Sequence, residues 1–244
     1  RISYEHPFFT MEQEELLGTQ ERKGQLDIWL DGELLKIDKW QFVPVLFETA
    51  FGMGDSVEPV KVGDISLRGK IDRIEILGNE HDGFKFLIAD YKSSASAVPT
   101  IGDLRSGQAF QVPLYLAAAQ DFLEKCYGIE ATPAGGAYYI FNPRFDKKSK
   151  KYDAAKPFLV PQSLKDSIGA RGHHTWLKDE SELFNSIETV GASAEAIAFK
   201  MGEGEYFAEP SHDKHCQQCS YASVCRIREV NVSDNETERT EEES

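Results

Sequence analysis

The order of residue patterns predicts a mixed α and β fold, with an antiparallel hairpin in a mixed β-sheet and helices before and after it. Three features predict it. Two strand-like runs, about Ile65 to Leu77 and Phe84 to Tyr91, flank the polar, glycine-bounded stretch Gly78 to Gly83, which is a hairpin signal. Helical spacing precedes them over residues 11–38, and two further helical patterns follow.

Within residues 11–38, Leu26, Leu30, Leu34 and Ile37 share one helix face despite Gly32. Trp40 to Phe47 is rich in aromatic and β-branched residues and reads as a buried strand ending at Glu48, before Gly52 and Gly54 break it. After the hairpin and a Ser, Ala and Pro-rich loop, residues 107–127 read as a helix with Pro113 near its first turn. Ala134 to Phe141 reads as a strand, and residues 179–202 as a helix with Leu183, Ile187, Val190 and Ala194 on one face. We find no internal repeat.

The 244 residues are 41% hydrophobic, enough for a packed core, and no apolar run approaches a membrane span. With no signal-peptide pattern, the cytoplasm is the expected compartment and no membrane partner is expected. A net charge of −14 argues against a nucleic-acid partner, but much of the acid lies in the apolar-poor segment 229–244, expected to be flexible. Basic residues gather instead at Arg144, Lys147, Lys148, Lys150 and Lys151. That run reads as a solvated loop tip or, less readily, as a contact for a phosphate backbone. The expected organisation is a helical segment at 1–39, a core at 40–210, a cysteine-rich module at 211–228 and the acidic tail.

The chemistry is concentrated in Gly69-Lys-Ile-Asp72-Arg and Ile88-Ala-Asp90-Tyr-Lys92. Strand alternation puts Asp90 and Lys92 on the same side. If the hairpin closes symmetrically about its turn, Asp72 pairs with Asp90 to within about one residue. Carboxylates about 5 Å apart across a ladder repel unless a cation lies between them. All-oxygen ligation suits Mg²⁺ or Mn²⁺, which can hold a phosphate oxygen and activate a water for attack on phosphorus. Lys92 would orient that water or stabilise the growing charge. An isolated Asp-x-Lys is usually only a surface ion pair; one that ends a buried strand opposite another Asp is far less common. Gln111 and Tyr115, at i and i+4, share a helix face that would look into the same cleft.

These motifs, followed by Cys216-x2-Cys219-x5-Cys225, resemble in order and spacing the RecB-type nuclease domain of the PD-(D/E)xK superfamily. They are closest to the form carried by B subunits of AddAB-type helicase-nucleases, and the match covers roughly residues 40–226. The resemblance implies a restriction-endonuclease-like core and an Mg²⁺-dependent exonuclease acting on single-stranded DNA. It also implies a helicase-nuclease partner subunit and a role in DNA end processing and recombinational repair. By the same resemblance Asp72, Asp90 and the Tyr91 carbonyl bind the metal, and Lys92 is the catalytic lysine. Gln111 and Tyr115 belong beside them, touching the DNA strand or Lys92. Glu48 matches an acidic position that serves either the metal or the fold.

Relatives of that type carry a metal-binding His on an upstream helix, and a first Cys that joins the last three to hold a [4Fe-4S] cluster. Neither is recognisable here: His6 lacks the helical context, and Cys126, at a helix end, reads as a buried or merely incidental thiol. Because the chain opens at Arg1, truncation is the expected cause. The cluster is then expected in the full-length protein and incomplete or missing in this chain. Zinc held with His212 or His215 is the competing reading of the cysteines, and the His173-His174 pair reads as loop. Two other functions stay open: a nuclease-fold module that binds DNA or a partner without cutting, and a zinc-stabilised interaction domain.

Overall fold

The structure is a computed structural model that describes residues 13–37, 40–53, 58–79, 81, 83–143, 145–146, 151–152, 155–168, 176–206, 216–217 and 219–225. The chain divides into two compact units, Arg1–Ala196 and Ile197–Ser244. Arg144, Lys147, Lys148, Lys150, the histidines at 6, 173, 174, 212 and 215 and the acidic tail lie outside the described residues.

The first unit is a five-stranded sheet with helices on both faces, the restriction-endonuclease-like arrangement. Its strands are β1 (Val43–Phe51), β4 (Gly69–Asn79), β5 (Gly83–Ser94), β6 (Ala131–Asn142) and β9 (Ala155–Phe158), adjacent in that order. Only β5 and β6 run parallel; the other neighbours are antiparallel. Two short ribbons complete the strands, β2 (Val60–Val62) with β3 (Ile65–Leu67) and β7 (Phe145–Asp146) with β8 (Lys151–Tyr152). Besides helical residues 13–17, the α-helices are α1 (Gln25–Ile37), α2 (Ile101–Arg105), α3 (Gln111–Tyr127), α4 (Lys165–Ile168) and α5 (Glu180–Gly202), the last running across the unit boundary.

Strand β5 holds the centre because Phe86, Leu87, Ile88 and Ala89 are apolar on both sides, and all four are buried. On one face Phe86 and Ile88 join Ile74, Phe51 and the buried stripe of α3, Val112, Leu116, Ala119 and Leu123, with Leu183 of α5. On the other face Leu87 and Ala89 join Trp40, Phe42, Tyr139, Leu164 and Ile168. We call these the front and back faces. Helix α3 crosses over between the parallel strands β5 and β6, so its N-terminus lies at the carboxyl end of β5. It stops at Gly128, whose φ of 64° suits the left-handed turn that lets the Gly128 and Ile129 N–H groups bond back to Glu124 and Leu123.

Four expectations need correction. The strand predicted at Trp40 to Phe47 runs from Val43 to Phe51 and is a sheet edge: Val43, Val45 and Phe47 are exposed, and the burial belongs to Trp40 and Phe42 just before it. The run from Ile65 is two strands, because Ile65–Leu67 leaves the sheet to pair with Val60–Val62. Strand β9 was not anticipated, since AKPF is too short and contains a proline. In α1, Leu30 and Leu34 are exposed, while Trp29 meets Tyr91 edge-on and Glu33 pairs with Arg73. A buried arginine on the sheet selects an acidic helix face over a leucine face.

Candidate active site

The ladder between β4 and β5 ends at Arg73–Ala89, so one register step further brings Asp72 opposite Asp90. At this point the sheet is irregular. Ile71 packs with the front cluster, whereas Arg73 two residues later lies over Tyr139 of the back cluster. Strand β4 therefore turns over at Asp72 instead of continuing the alternation. The Tyr91 N–H, one residue past the parting strands, is taken up by the side chain of Asp72: it donates to Oδ2 at 3.0 Å. Opposite Asp72 on β1, between the pairs Phe47–Arg73 and Thr49–Ile71, is Glu48. It has a φ of 50°, in the left-handed region, and its carboxylate is ion-paired with Lys70.

Asp90 is buried, at 7% exposure, and its carboxylate is held by two groups. Gln111 Nε2, in the first turn of α3, donates to Oδ1 at 2.6 Å. Lys92 Nζ lies 2.7 Å from Oδ2 and donates to Gln111 Oε1 at 3.2 Å, which closes a three-membered ring of side chains. Oδ2 is buried with no partner in hydrogen-bonding geometry among the described residues, so the ammonium is its compensation. The Lys92 ammonium also stands 5.5 Å over the ring of Tyr138. Burial pushes the Asp90 carboxyl above the usual carboxylate range. Lys92 and Gln111 pull against that, and the charge of Asp72 adds to it.

The topology explains the assembly. In a β-α-β unit the crossover helix begins where the first strand ends, so Gln111 arrives at Asp90 and Lys92 whatever the intervening loop contains. Of the residues singled out in the sequence, Asp72, Asp90, Tyr91, Lys92 and Gln111 come together. Tyr115 sits one turn further along α3, packed edge-on against Phe51 at 5.9 Å between ring centroids and against Gly69. Glu48 is in the row but turned to Lys70. Lys151 begins β8. Tyr138 was missed: the Gly-Ala-Tyr-Tyr-Ile run marks a strand, and only the β5–β6 register aligns its first tyrosine with Asp90.

Behind the site, the sheet buries a second polar cluster that the sequence reading did not single out. Glu75 is fully buried, accepts the Trp40 indole N–H and the Tyr139 hydroxyl at 2.7 Å, and is ion-paired with Arg73, whose Nε lies 2.6 Å from Oε1. Arg73 reaches on to Glu33 of α1 at 2.9 Å and covers the Tyr139 ring. Burial opposes the arginine charge, but Tyr139, Glu75, Tyr91 and Glu33 more than offset it, so the group stays protonated.

Among the described residues, no set of three or more His, Cys, Asp or Glu side chains converges closely enough to hold a metal. Asp72 and Asp90 are the two carboxylates at the end of the β4–β5 ladder. In the second unit Cys216, Cys219 and Cys225 are free thiols on one compact turn, and Cys219 Sγ accepts the Tyr221 N–H at 3.4 Å. No helix among the described residues is long and apolar enough to cross a membrane. A shallow cavity lined by Leu77, Phe84, Lys85, Gln120 and Glu124 opens at the far end of the sheet, away from Asp90.

Residues 5–226 match the PD-(D/E)XK nuclease superfamily. The chain belongs to that superfamily. Among curated relatives, the B subunit of the ATP-dependent helicase/deoxyribonuclease of Alkaliphilus metalliredigens is 32% identical over 233 residues, 78% of this chain and 20% of that protein. The protein of the same name from Carboxydothermus hydrogenoformans is 29% identical over 231 residues, 78% of this chain and 21% of its own length. That from Caldanaerobacter subterraneus is 26% identical over 256 residues, 88% of this chain and 21% of its own. The chain therefore spans about a fifth of the length of the relatives it matches. The matched span includes Asp72, Asp90, Lys92 and Gln111.

Proposed function

We propose that this chain is a divalent-metal-dependent deoxyribonuclease domain that hydrolyses phosphodiester bonds of single-stranded DNA, acting as an exonuclease. The observation that carries the reading is the cluster at the carboxyl end of β5: Asp90, Lys92 and Gln111 bonded to one another, with Asp72 one register step past the end of the ladder. Superfamily membership and the names of the relatives support it.

Asp72, Asp90 and the Tyr91 carbonyl are the groups that would hold Mg²⁺ or Mn²⁺, and Oδ2 of Asp90, buried and held among the described residues by its ion pair with Lys92, fits that use. Glu48 would join them only by leaving Lys70. Bound there, the ion would polarise a phosphate oxygen and lower the pKa of a water. Lys92 lies against Gln111 and Tyr138 with its ammonium beside Asp90, where it would meet negative charge building on a phosphate. Gln111 fixes both partners, so it acts through them.

The three cysteines, as Cys216-x2-Cys219-x5-Cys225, fit part of a metal-thiolate site by residue type and spacing. They would supply three ligands of a [4Fe-4S] cluster in a longer protein; zinc is the alternative. On the same reading the domain works in the cytoplasm with a helicase partner subunit in DNA end processing and recombinational repair.

Cleavage of an end-labelled single-stranded oligonucleotide in Mg²⁺ or Mn²⁺, against a chelator control, tests the proposal. Asp90→Ala and Lys92→Ala are each expected to lower the rate by at least about a hundredfold, the usual cost of losing a transition-state contact. Equal rates for wild type and Asp90→Ala would overturn the assignment. The absence of a complete set of side-chain ligands among the described residues favours one second reading, a nuclease-fold module that binds DNA without cutting. Such a module would bind DNA equally well in chelator and in Mg²⁺ and leave the oligonucleotide intact.

A further inference from the structure

The register of the sheet extends the site beyond the signature residues. Asp90 pairs with Tyr138 across the parallel β5–β6 ladder, and Tyr138 pairs with Lys156 across the antiparallel β6–β9 ladder. Lys156 is therefore two strands from Asp90 in the same cross-sheet row, about 10 Å away at the usual strand spacing of roughly 4.8 Å. Its face is settled by its neighbours on β9. Phe158, two residues on, packs against Tyr138 in the front cluster at 5.3 Å between ring centroids, while Ala155 and the back cluster occupy the other side. Lys156 thus shares the front face with Asp90 and Lys92.

The two lysines of this face, Lys156 in the row and Lys92 two residues beyond it on β5, differ in their partners. The Lys92 ammonium is matched by Asp90, whereas Lys156, partly buried beside two buried aromatic rings, makes no ion pair or hydrogen bond with a described residue. A partly buried ammonium with no counter-charge among the described residues gains from an anion that completes it. Phosphates repeat along a nucleic-acid strand at intervals shorter than the separation of Lys156 from Asp90, so a phosphate near the one at Asp90 falls within reach of Lys156.

We infer that Lys156 is a binding residue of this site that takes a backbone phosphate flanking the scissile one. The inference rests on the nuclease reading above and assigns β9 to the DNA path. It distinguishes Lys156 from Lys92: one holds the strand, the other serves the reaction.

The test compares wild type with Lys156→Ala, Lys156→Glu and Lys156→Arg on a single-stranded oligonucleotide. Affinity is measured in chelator over a range of salt, and steady-state cleavage in Mg²⁺. Losing one phosphate contact should flatten the slope of log affinity against log salt by roughly 0.7. For Lys156→Ala we expect that flattening, a KM raised several-fold and a kcat within about twofold of wild type. Lys156→Glu should weaken binding further, and Lys156→Arg should restore both slope and KM. Wild-type slope and KM in both Ala and Glu variants, alongside inactive Asp90→Ala, would overturn the inference and leave the nuclease reading standing. Wild-type protein that does not cleave, or that cleaves no faster than Asp90→Ala, would overturn both.

Discussion

Asp90 has to be two things at once: buried enough that the site excludes water, and ionised enough to bind a cation. Burial raises its pKa, and Lys92 and Gln111 recover only part of that cost. Its folded pKa therefore lies above the unfolded value of about 3.9, and the folded state holds the extra proton between the two. Stability falls as pH rises through that window, and an amide in place of the carboxyl removes the penalty. In chelator, Asp90→Asn should gain on wild type as pH increases from about 4 toward neutral, measured by denaturant unfolding at each pH. A pH-independent difference between the two would contradict this account of Asp90. On the back face the balance is reversed, because Arg73 and Glu75 compensate each other and their partners complete the network. Arg73→Met leaves Glu75 buried and unpaired by its cation. The expected cost is about 3–5 kcal/mol in urea unfolding, where a mere surface ion pair would cost under about 1 kcal/mol. At this scale the sequence was informative for the groups that define the signature. It was silent on Arg73, Glu75 and Tyr138, because a buried ion pair or an aligned tyrosine becomes visible only when strands far apart in sequence are set side by side.

Among the elements, the hairpin was legible because Asp72, the Gly78 to Gly83 turn and Asp90 all fit one symmetric closure, and the observed register agrees with it. Helix α3 was legible from its apolar stripe, and its role follows from its connection: it begins where β5 ends. What was hidden is whatever depends on neighbours. Strand β1 looked buried because its composition is apolar, yet it became an edge, and the α1 face was chosen by Arg73 and not by its leucines. The contact that seats α3 on the sheet is similarly specific. A Cβ on Gly136 of β6 would come 2.7 Å from Val112 Cγ1, near the first turn of α3. Gly136→Ala should therefore cost about 1–3 kcal/mol of stability and move Gln111 away from Asp90 and Lys92. Reduced cleavage at a temperature where the variant is fully folded, read together with its unfolding midpoint, checks this. A variant with both wild-type stability and wild-type activity would show that α3 is not seated by this contact.

For the molecule as a whole, the site lies where parallel neighbouring strands end beside a helix N-terminus, the usual place for ligands in α/β sheets. A chain with a net charge of −14 must hold a polyanion through local cations, and the front face supplies Lys156 in the row of Asp90 and Lys92 two residues further along β5. Binding in chelator should accordingly weaken steeply with salt, as counterion release requires. Affinity that is flat between 50 and 200 mM salt, roughly the range over which such contacts are lost, would place DNA elsewhere or exclude it. The central claim is that Asp72 and Asp90 share a divalent cation beside Lys92. Crystals soaked in Mn²⁺ and measured for anomalous scattering test it most directly. The account predicts a Mn²⁺ peak between the two carboxylates, within bonding distance of the Tyr91 carbonyl, that is lost in Asp90→Asn. A protein that cleaves DNA under the same conditions with Mn²⁺ bound elsewhere, or with that peak unchanged in Asp90→Asn, would contradict it.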